Sequence, residues 1–358
     1  MYIYIHIPFC SSICSYCDFP KVLYCSKYIN KYLDCLEKEI NDRYKGELVK
    51  SIYVGGGTPT SLSYKELERL FKIINIFNTG KNIEYTIESN VESLDIDKIK
   101  LLKKYNINRV SLGVQSFDNG ILKELNRHHT KDDVFRVVND LKSNNIININ
   151  IDLIYGVNNN IDIIKKDIDY YLELNIPHIS CYSLIIEDNT MFGINKRDYI
   201  DSNIDYEIYK YIEDKLTSND YIHYEVSNYC KEGYQSIHNL NYWDNGYYYG
   251  FGMGSVSYID NYRISNTKNL SKYLDNKYVD SNIYEDIDTR ISNTLILGLR
   301  KVKGINILDF KKKYNRDIID LYNIKELIDD NKLILDNNYL YINPKYFYLS
   351  NEILINFI

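Results

Sequence analysis

Cys10, Cys14 and Cys17 stand in the run Pro8-Phe9-Cys10-Ser11-Ser12-Ile13-Cys14-Ser15-Tyr16-Cys17-Asp18-Phe19, a C-x3-C-x2-C spacing. Three thiolates this close in sequence can wrap one inorganic centre and leave one of its metal positions without a protein ligand. That is the chemistry of an iron–sulfur cluster open to a further ligand. Two plainer readings compete. A zinc site wants a fourth Cys or His nearby, and Cys25 is poorly placed to supply it. Small buried thiols also cluster by chance. The spacing favours the iron–sulfur reading over both.

Such a loop needs a rigid support. Strand-like segments recur at Tyr2–Ile7, Ser51–Val54, Ile83–Glu88, Arg109–Gly113, Ile147–Leu153 and His178–Leu184, with apolar residues at helical spacing between them. Lys27–Arg43 places Tyr28, Tyr32, Cys35, Leu36, Glu39 and Ile40 near one face. Similar patterns fill Lys65–Ile76, Ile96–Tyr105, Asp132–Ser143, Ile161–Glu173 and Asp205–Leu216. Six strands alternating with helices predict an α/β fold, a partial (β/α)6 barrel with right-handed crossovers, over residues 1–226. Residues 227–281 are rich in Gly, Tyr and Asn without a clear period and are expected to pack on the barrel. Residues 282–358 read as helices around Thr289–Gly298, Ile307–Tyr314 and Ile324–Asn331, a hairpin and a final helix Tyr346–Phe357, hence a small winged-helix-like α+β module.

In a parallel barrel, ligands bind at the C-terminal strand ends. The second strand runs into Gly55-Gly56-Gly57-Thr58-Pro59, whose backbone can approach a ligand closely. The third ends in Glu88-Ser89-Asn90, the fourth in Gly113-Val114-Gln115-Ser116, and the fifth contains Asp152-Leu153-Ile154-Tyr155-Gly156. Each alone could be a helix cap. Their convergence with the cysteine loop argues for a site.

Net charge is −6, so no basic footprint points to nucleic acid. Alanine is absent and Asn, Ile, Lys and Tyr abound, a bias that discounts Asn and Tyr runs as functional signals. The remaining cysteines are scattered, which suits a reducing compartment rather than a disulfide scaffold. No signal-like or membrane-spanning apolar run is visible, and a cytoplasmic protein is expected.

Tyr4-Ile5-His6-Ile7-Pro8-Phe9-Cys10, Gly55-Gly56-Gly57-Thr58-Pro59-Thr60, Gly113-Val114-Gln115-Ser116-Phe117 and Asp152-Leu153-Ile154-Tyr155-Gly156 together resemble the radical SAM (S-adenosylmethionine) enzymes of the oxygen-independent coproporphyrinogen III dehydrogenase group, and especially its heme-chaperone branch. The resemblance covers nearly the whole chain and is weakest over the C-terminal module. It implies that Cys10, Cys14 and Cys17 hold a [4Fe–4S] cluster. It implies further that Tyr4, Gly56 and Glu88, with Gly57 and Thr58 alongside, meet the methionine and ribose parts of SAM, and that Tyr16 lies against cluster or adenine. Gln115, Arg127 and Asp152 fall where the dehydrogenases contact a second SAM, or else finish the same pocket.

Two features choose between the branches. The dehydrogenases resemble C-x3-C-x2-C-x-C and carry an N-terminal extension; here Phe19 occupies the fourth-cysteine place and the chain starts at the strand. His238-Asn239-Leu240-Asn241-Tyr242-Trp243 resembles the H-N-x-x-Y-W signature of the chaperone branch, which makes His238 the candidate for contact with heme. Against this, Val256 stands where that branch commonly has a His, with Met253 the nearby thioether. The resemblance thus implies a heme chaperone that passes heme to an acceptor protein, with cluster and SAM gating transfer. Its acceptors are commonly membrane-bound, which implies transient contact with a membrane surface. The alternative is the dehydrogenase, which decarboxylates two propionates to vinyl groups.

Overall fold

A computed structural model describes residues 1–358. Six strands form the parallel heart of its main sheet: β1 (Tyr2–Ile7), β2 (Val49–Gly56), β3 (Thr79–Asn90), β4 (Arg109–Gln115), β5 (Asn148–Tyr155) and β6 (His178–Ser183). They lie side by side in chain order, each parallel to the last. The order follows from the helical crossovers α1 (Ser26–Arg43), α2 (Tyr64–Ile74), α3 (Ile96–Lys104), α4 (Lys131–Ser143) and α5 (Ile161–Leu174), which return the chain each time to the same end of the sheet. The fold is the expected α/β barrel.

Alternation along the strands separates two environments. Ile3, Ile5 and Ile7, with Ile52, Val54, Ile87, Val110, Leu112 and Ile151, point outward under the helices and are fully buried. The opposite face carries Tyr4, His6, Ser51, Tyr53, Glu84, Glu88, Arg109, Ser111, Asn150, Asp152 and His178, so the concave face is polar. α1 packs through Ile29, Tyr32, Leu33, Cys35, Leu36, Glu39 and Ile40; Tyr28, expected on that face, is 40% exposed. α2 is held at its start by a reciprocal cap between Ser63 and Glu66.

After β6, α6 (Ser202–Thr217) leads to β7 (Ile222–Glu225) and β8 (Asn228–Cys230); β8 pairs antiparallel with β6 and β7 closes that edge. The Gly/Tyr/Asn-rich stretch is more ordered than its composition suggests. It supplies α7 (Ile237–Trp243) and β9 (Tyr249–Phe251), which pairs parallel with β1 on the far edge. It then folds into a three-stranded antiparallel sheet, Val256–Ile259, Tyr262–Asn266 and Val279–Tyr284.

The C-terminal residues build a separate small core around Leu295, Phe310, Leu340 and Phe357. Helices Ile287–Gly298, Ile307–Tyr314 and Ile324–Asp329 precede antiparallel strands Leu333–Asp336 and Tyr339–Ile342, joined by Ile305–Asn306. The final stretch is not the single helix read from sequence. It breaks into 3-10 turns at Pro344–Leu349 and Ile355–Phe357 around a short helix Ser350–Leu354. No helix is long and apolar enough to cross a membrane.

Candidate cluster and cofactor site

The cysteine loop leaves the C-terminal end of β1 and is tied to its support along its length. The Gly57 and Thr58 amides bond the Ile7 and Phe9 carbonyls at 2.9 and 2.8 Å, and the Val22 amide bonds Pro8 at 2.8 Å. His6 spans the loop: Nδ1 lies 3.0 Å from the Tyr4 hydroxyl and Nε2 2.8 Å from the Pro20 carbonyl. Burial lowers the His6 pKa to about 4, so the ring is a neutral tether. Cys10, Cys14 and Cys17 are free thiols. Thr58 Oγ1 lies 3.7 Å from Cys10 Sγ, and Arg127 Nη1 lies 3.7 Å from Cys14 Sγ. Lys21 holds the Cys17 carbonyl.

The glycines make room for the loop. A Cβ on Gly57 would fall 2.8 Å from Cys10 Sγ and 2.7 Å from the Pro8 carbonyl oxygen. Gly56 has φ +119°, and a Cβ there would meet the His6 ring at 2.7 Å. A Cβ on Gly55 would strike the Glu88 carboxyl at 2.8 Å. Glu88 accepts from the Gly56 amide at 3.0 Å and the Tyr53 hydroxyl at 2.9 Å. Burial pushes its carboxyl up to about 7, against the pull of those two donors.

Arg127 is the keystone on the other side. It is 5% exposed and donates to Asn90 Oδ1 at 2.8 Å and to the Gly113 carbonyl, and it lies 3.6 Å from Glu92. Asn90 in turn donates to Thr58 at 3.2 Å. Gln115 is buried with φ +70°, a conformation that costs a non-glycine residue, and its Oε1 has no protein partner. Asp152 accepts from Ser111 at 3.1 Å and Asn150 at 2.8 Å, and burial raises its pKa. Tyr16 packs by the small core of Ile121, Leu125, Leu184 and Phe192 beneath the loop, and burial raises its pKa well above the usual value.

The structure therefore brings Tyr4, Gly56, Gly57, Thr58, Glu88 and Arg127 together with the three cysteines at the C-terminal mouth. Gln115, Tyr16 and Asp152 lie around the same opening. No three His, Cys, Asp or Glu side chains converge on a single-ion site, and the donor chemistry is that of a larger, thiolate-held cluster: free thiols on one loop, a cradle with no room for a Cβ, and a buried acceptor on Gln115 for a ligand's donor.

His238, read from the sequence as the candidate heme contact, is not among them. It sits in α7 at the N-terminal base of the barrel, 1% exposed, with Nδ1 2.7 Å from Ser51 Oγ and Nε2 2.9 Å from the Tyr242 hydroxyl. α7 is held there by Glu84, whose carboxylate accepts from the Ile237 and His238 amides, both at 2.9 Å. Burial, aided by the Arg109 charge, lowers the His238 pKa to about 3. Neither ring nitrogen is free for iron. Met253 is likewise committed, 1% exposed in the main core.

Sequence reasoning missed His6, Asn90 as the Arg127 partner, and the polar floor of Arg109, Asn150 and His178. His178 bonds Asn150 Oδ1 at 2.6 Å and the Tyr224 hydroxyl at 2.8 Å. The available signal was alternation: in β1 and β4 the polar or aromatic residues fall at every second position between isoleucines, valines and leucines.

Comparison with known proteins agrees with this architecture. Residues 4–170 match the model of the radical SAM superfamily, and residues 287–348 match the HemN C-terminal domain. The heme chaperone HemW of Lactococcus lactis is 39% identical over 350 residues, 92% of each chain. HemW of Bacillus subtilis is 35% identical over 334 residues, covering 89% of this chain and 88% of the relative. Among solved structures, the radical SAM coproporphyrinogen III oxidase HemN of Escherichia coli aligns with a TM-score of 0.88 and 22% identity, over 99% of this chain and 89% of that one. At that identity it speaks to the fold alone.

Proposed function

Because the chain belongs to the radical SAM superfamily and, within it, to the heme chaperone HemW family, we propose that it binds heme and passes it to an acceptor protein. The observation that carries this reading is the correspondence with HemW of Lactococcus lactis along 92% of both chains. Phe19 supports it: the place of the dehydrogenases' fourth cysteine holds an apolar ring, 67% exposed.

Membership of the superfamily implies a [4Fe–4S] cluster and SAM. Cys10, Cys14 and Cys17 would hold the cluster. Tyr4, Gly56, Gly57, Thr58 and Glu88 would hold SAM, with Gln115, Arg127, Asp152 and Tyr16 finishing the pocket. When bound, the cluster supplies the electron for reductive cleavage of SAM. The protein's part is placement. Arg127 ties the loop to β4 and to Asn90, His6 fixes its exit, and Glu88 offers a carboxylate that two donors already orient. In this reading residues 1–226 carry the chemistry, 227–281 close the base and edge of the barrel, and 282–358 form an accessory module. Heme and an acceptor protein are the partners, nucleic acid is not, and the site of action is the cytoplasm.

The test is a titration of ferric heme into the anaerobically reconstituted protein, followed by absorbance, with coproporphyrinogen turnover assayed on the same sample. Stoichiometric heme binding without turnover is expected. Turnover without heme binding would replace the chaperone by the dehydrogenase.

A further inference from the structure

We infer that heme rests on the open C-terminal mouth of the barrel with its iron bound by His128, an assignment that rests on the heme-chaperone reading above. Heme iron takes imidazole as its commonest protein ligand, and the macrocycle needs apolar surface for its faces. Five of the six histidines are withdrawn from solvent. His6, His178 and His238 are at most 2% exposed with both ring nitrogens hydrogen-bonded. His129 is 4% exposed beside Glu92, and the His223 side chain is 8% exposed, stacked on Tyr229. His128 alone is exposed.

Its place is at the mouth. The turn that ends in His128 is stitched to the cysteine loop: the Ser15 amide donates to the Leu125 carbonyl at 3.2 Å, Asn126 Nδ2 donates to the Ile13 carbonyl at 2.7 Å, and Arg127 reaches Cys14. The same loop holds the segment after β6, through the Phe192 amide on the Ser15 carbonyl at 3.1 Å and Asn189 on Asp18. These connected segments expose large apolar side chains: Ile13 at 37%, Phe19 at 67%, Ile185 at 68%, Met191 at 52% and Ile194 at 64%. Single exposed apolar residues need no explanation, but a group on two joined segments beside the His128 turn marks a binding surface. A flat apolar macrocycle with two carboxylates suits it, since Lys123, in the short helix Asn119–Glu124 before the His128 turn, and Lys196, in the segment after β6, stand exposed. Ligation is a simple donation: the neutral imidazole gives a nitrogen lone pair to iron, and no bond of heme breaks.

The experiment titrates ferric heme into the full-length, cluster-loaded protein and reads the Soret band, for wild type, His128→Ala, His238→Ala and Met191→Leu. His128→Ala is expected to weaken heme binding by about tenfold or more and to shift the Soret band, with added free imidazole restoring the wild-type spectrum. Folded His238→Ala should keep both affinity and spectrum, and Met191→Leu, which alters the apolar surface and not the iron ligand, should keep the Soret position while changing affinity less than His128→Ala. An unchanged spectrum and affinity in His128→Ala, or the loss appearing only in Met191→Leu or His238→Ala, would overturn the assignment and leave the chaperone reading standing. Wild type with no saturable heme binding would defeat that reading itself.

Discussion

The base of the barrel makes a quantitative prediction through His238. Its ring is buried, bonded at both nitrogens, and held neutral with a pKa lowered from 6.5 to about 3. A histidine depressed in the native state takes up a proton only on unfolding. Its contribution is therefore complete above pH 6.5 and is lost as the pH falls below that value. At pH 4.5 the unfolded imidazole is stabilised by about 2.7 kcal/mol while the native ring is still neutral, and the figure holds for any native pKa well under 4.5. Glutamine fills much of the space and does not titrate. At pH 8, His238→Gln should cost about 1–3 kcal/mol, from one hydrogen bond left unmade and imperfect packing. At pH 4.5 the gap should shrink by about 2.7 kcal/mol, so that the variant equals or exceeds the wild type. Trp243, the only tryptophan and a member of α7, reports unfolding by fluorescence in urea titrations at the two pH values. Parallel pH profiles for the two proteins would refute the reasoning, because they would mean that His238 is protonated or solvated in the native state.

Two further perturbations address the mouth. Gly57→Ala puts a methyl group against Cys10 Sγ and the Pro8 carbonyl, and should cut iron incorporation sharply after reconstitution while leaving the far-UV circular dichroism intact; normal iron content would count against the cradle. Glu88→Gln bears on pH in the opposite sense to His238. The Glu88 pKa, raised to about 7, contributes stability below pH 4.5 that is lost as the pH rises through 7, so the ligand-free wild type should lose about 2 kcal/mol relative to the variant between pH 5 and pH 8. The same variant should weaken SAM binding by about tenfold in calorimetry, and unaltered affinity would remove Glu88 from the SAM site.

How much of this was legible in the sequence depended on how local the cause was. The six parallel strands were readable because polar lumen positions and apolar outer positions alternate within each short segment, as in Tyr2 to Ile7. The cysteine loop and the glycine turn were readable because their chemistry lies in consecutive residues. β9 was not: three residues in a Gly- and Tyr-rich stretch carry no period, and only the partner strand β1 makes them a strand. The C-terminal helix was over-read because Tyr346, Phe347 and Tyr348, then Ile353 and Ile355, have the apolar spacing of a helix but weak intrinsic preference for one. His238 was legible as a motif and not as a place. Its position at the base rests on Ser51, 187 residues away, and on Glu84, 154 residues away.

The pairing of β9 with β1 sets an order in time. β1 is synthesised long before β9, and one of its two edges stays open until residue 251 has been made. The anchors that steady α1 against that edge wait as long: Tyr32 receives the Met253 amide at 3.0 Å and Glu39 receives the Gly252 amide at 2.9 Å. A chain stalled or cut before this point carries its three cysteines on an unfinished sheet, exposed to stray pairing. The strand that carries the cysteine loop therefore gains its last edge partner, and α1 these two anchors, only from residues more than two hundred positions further along the chain.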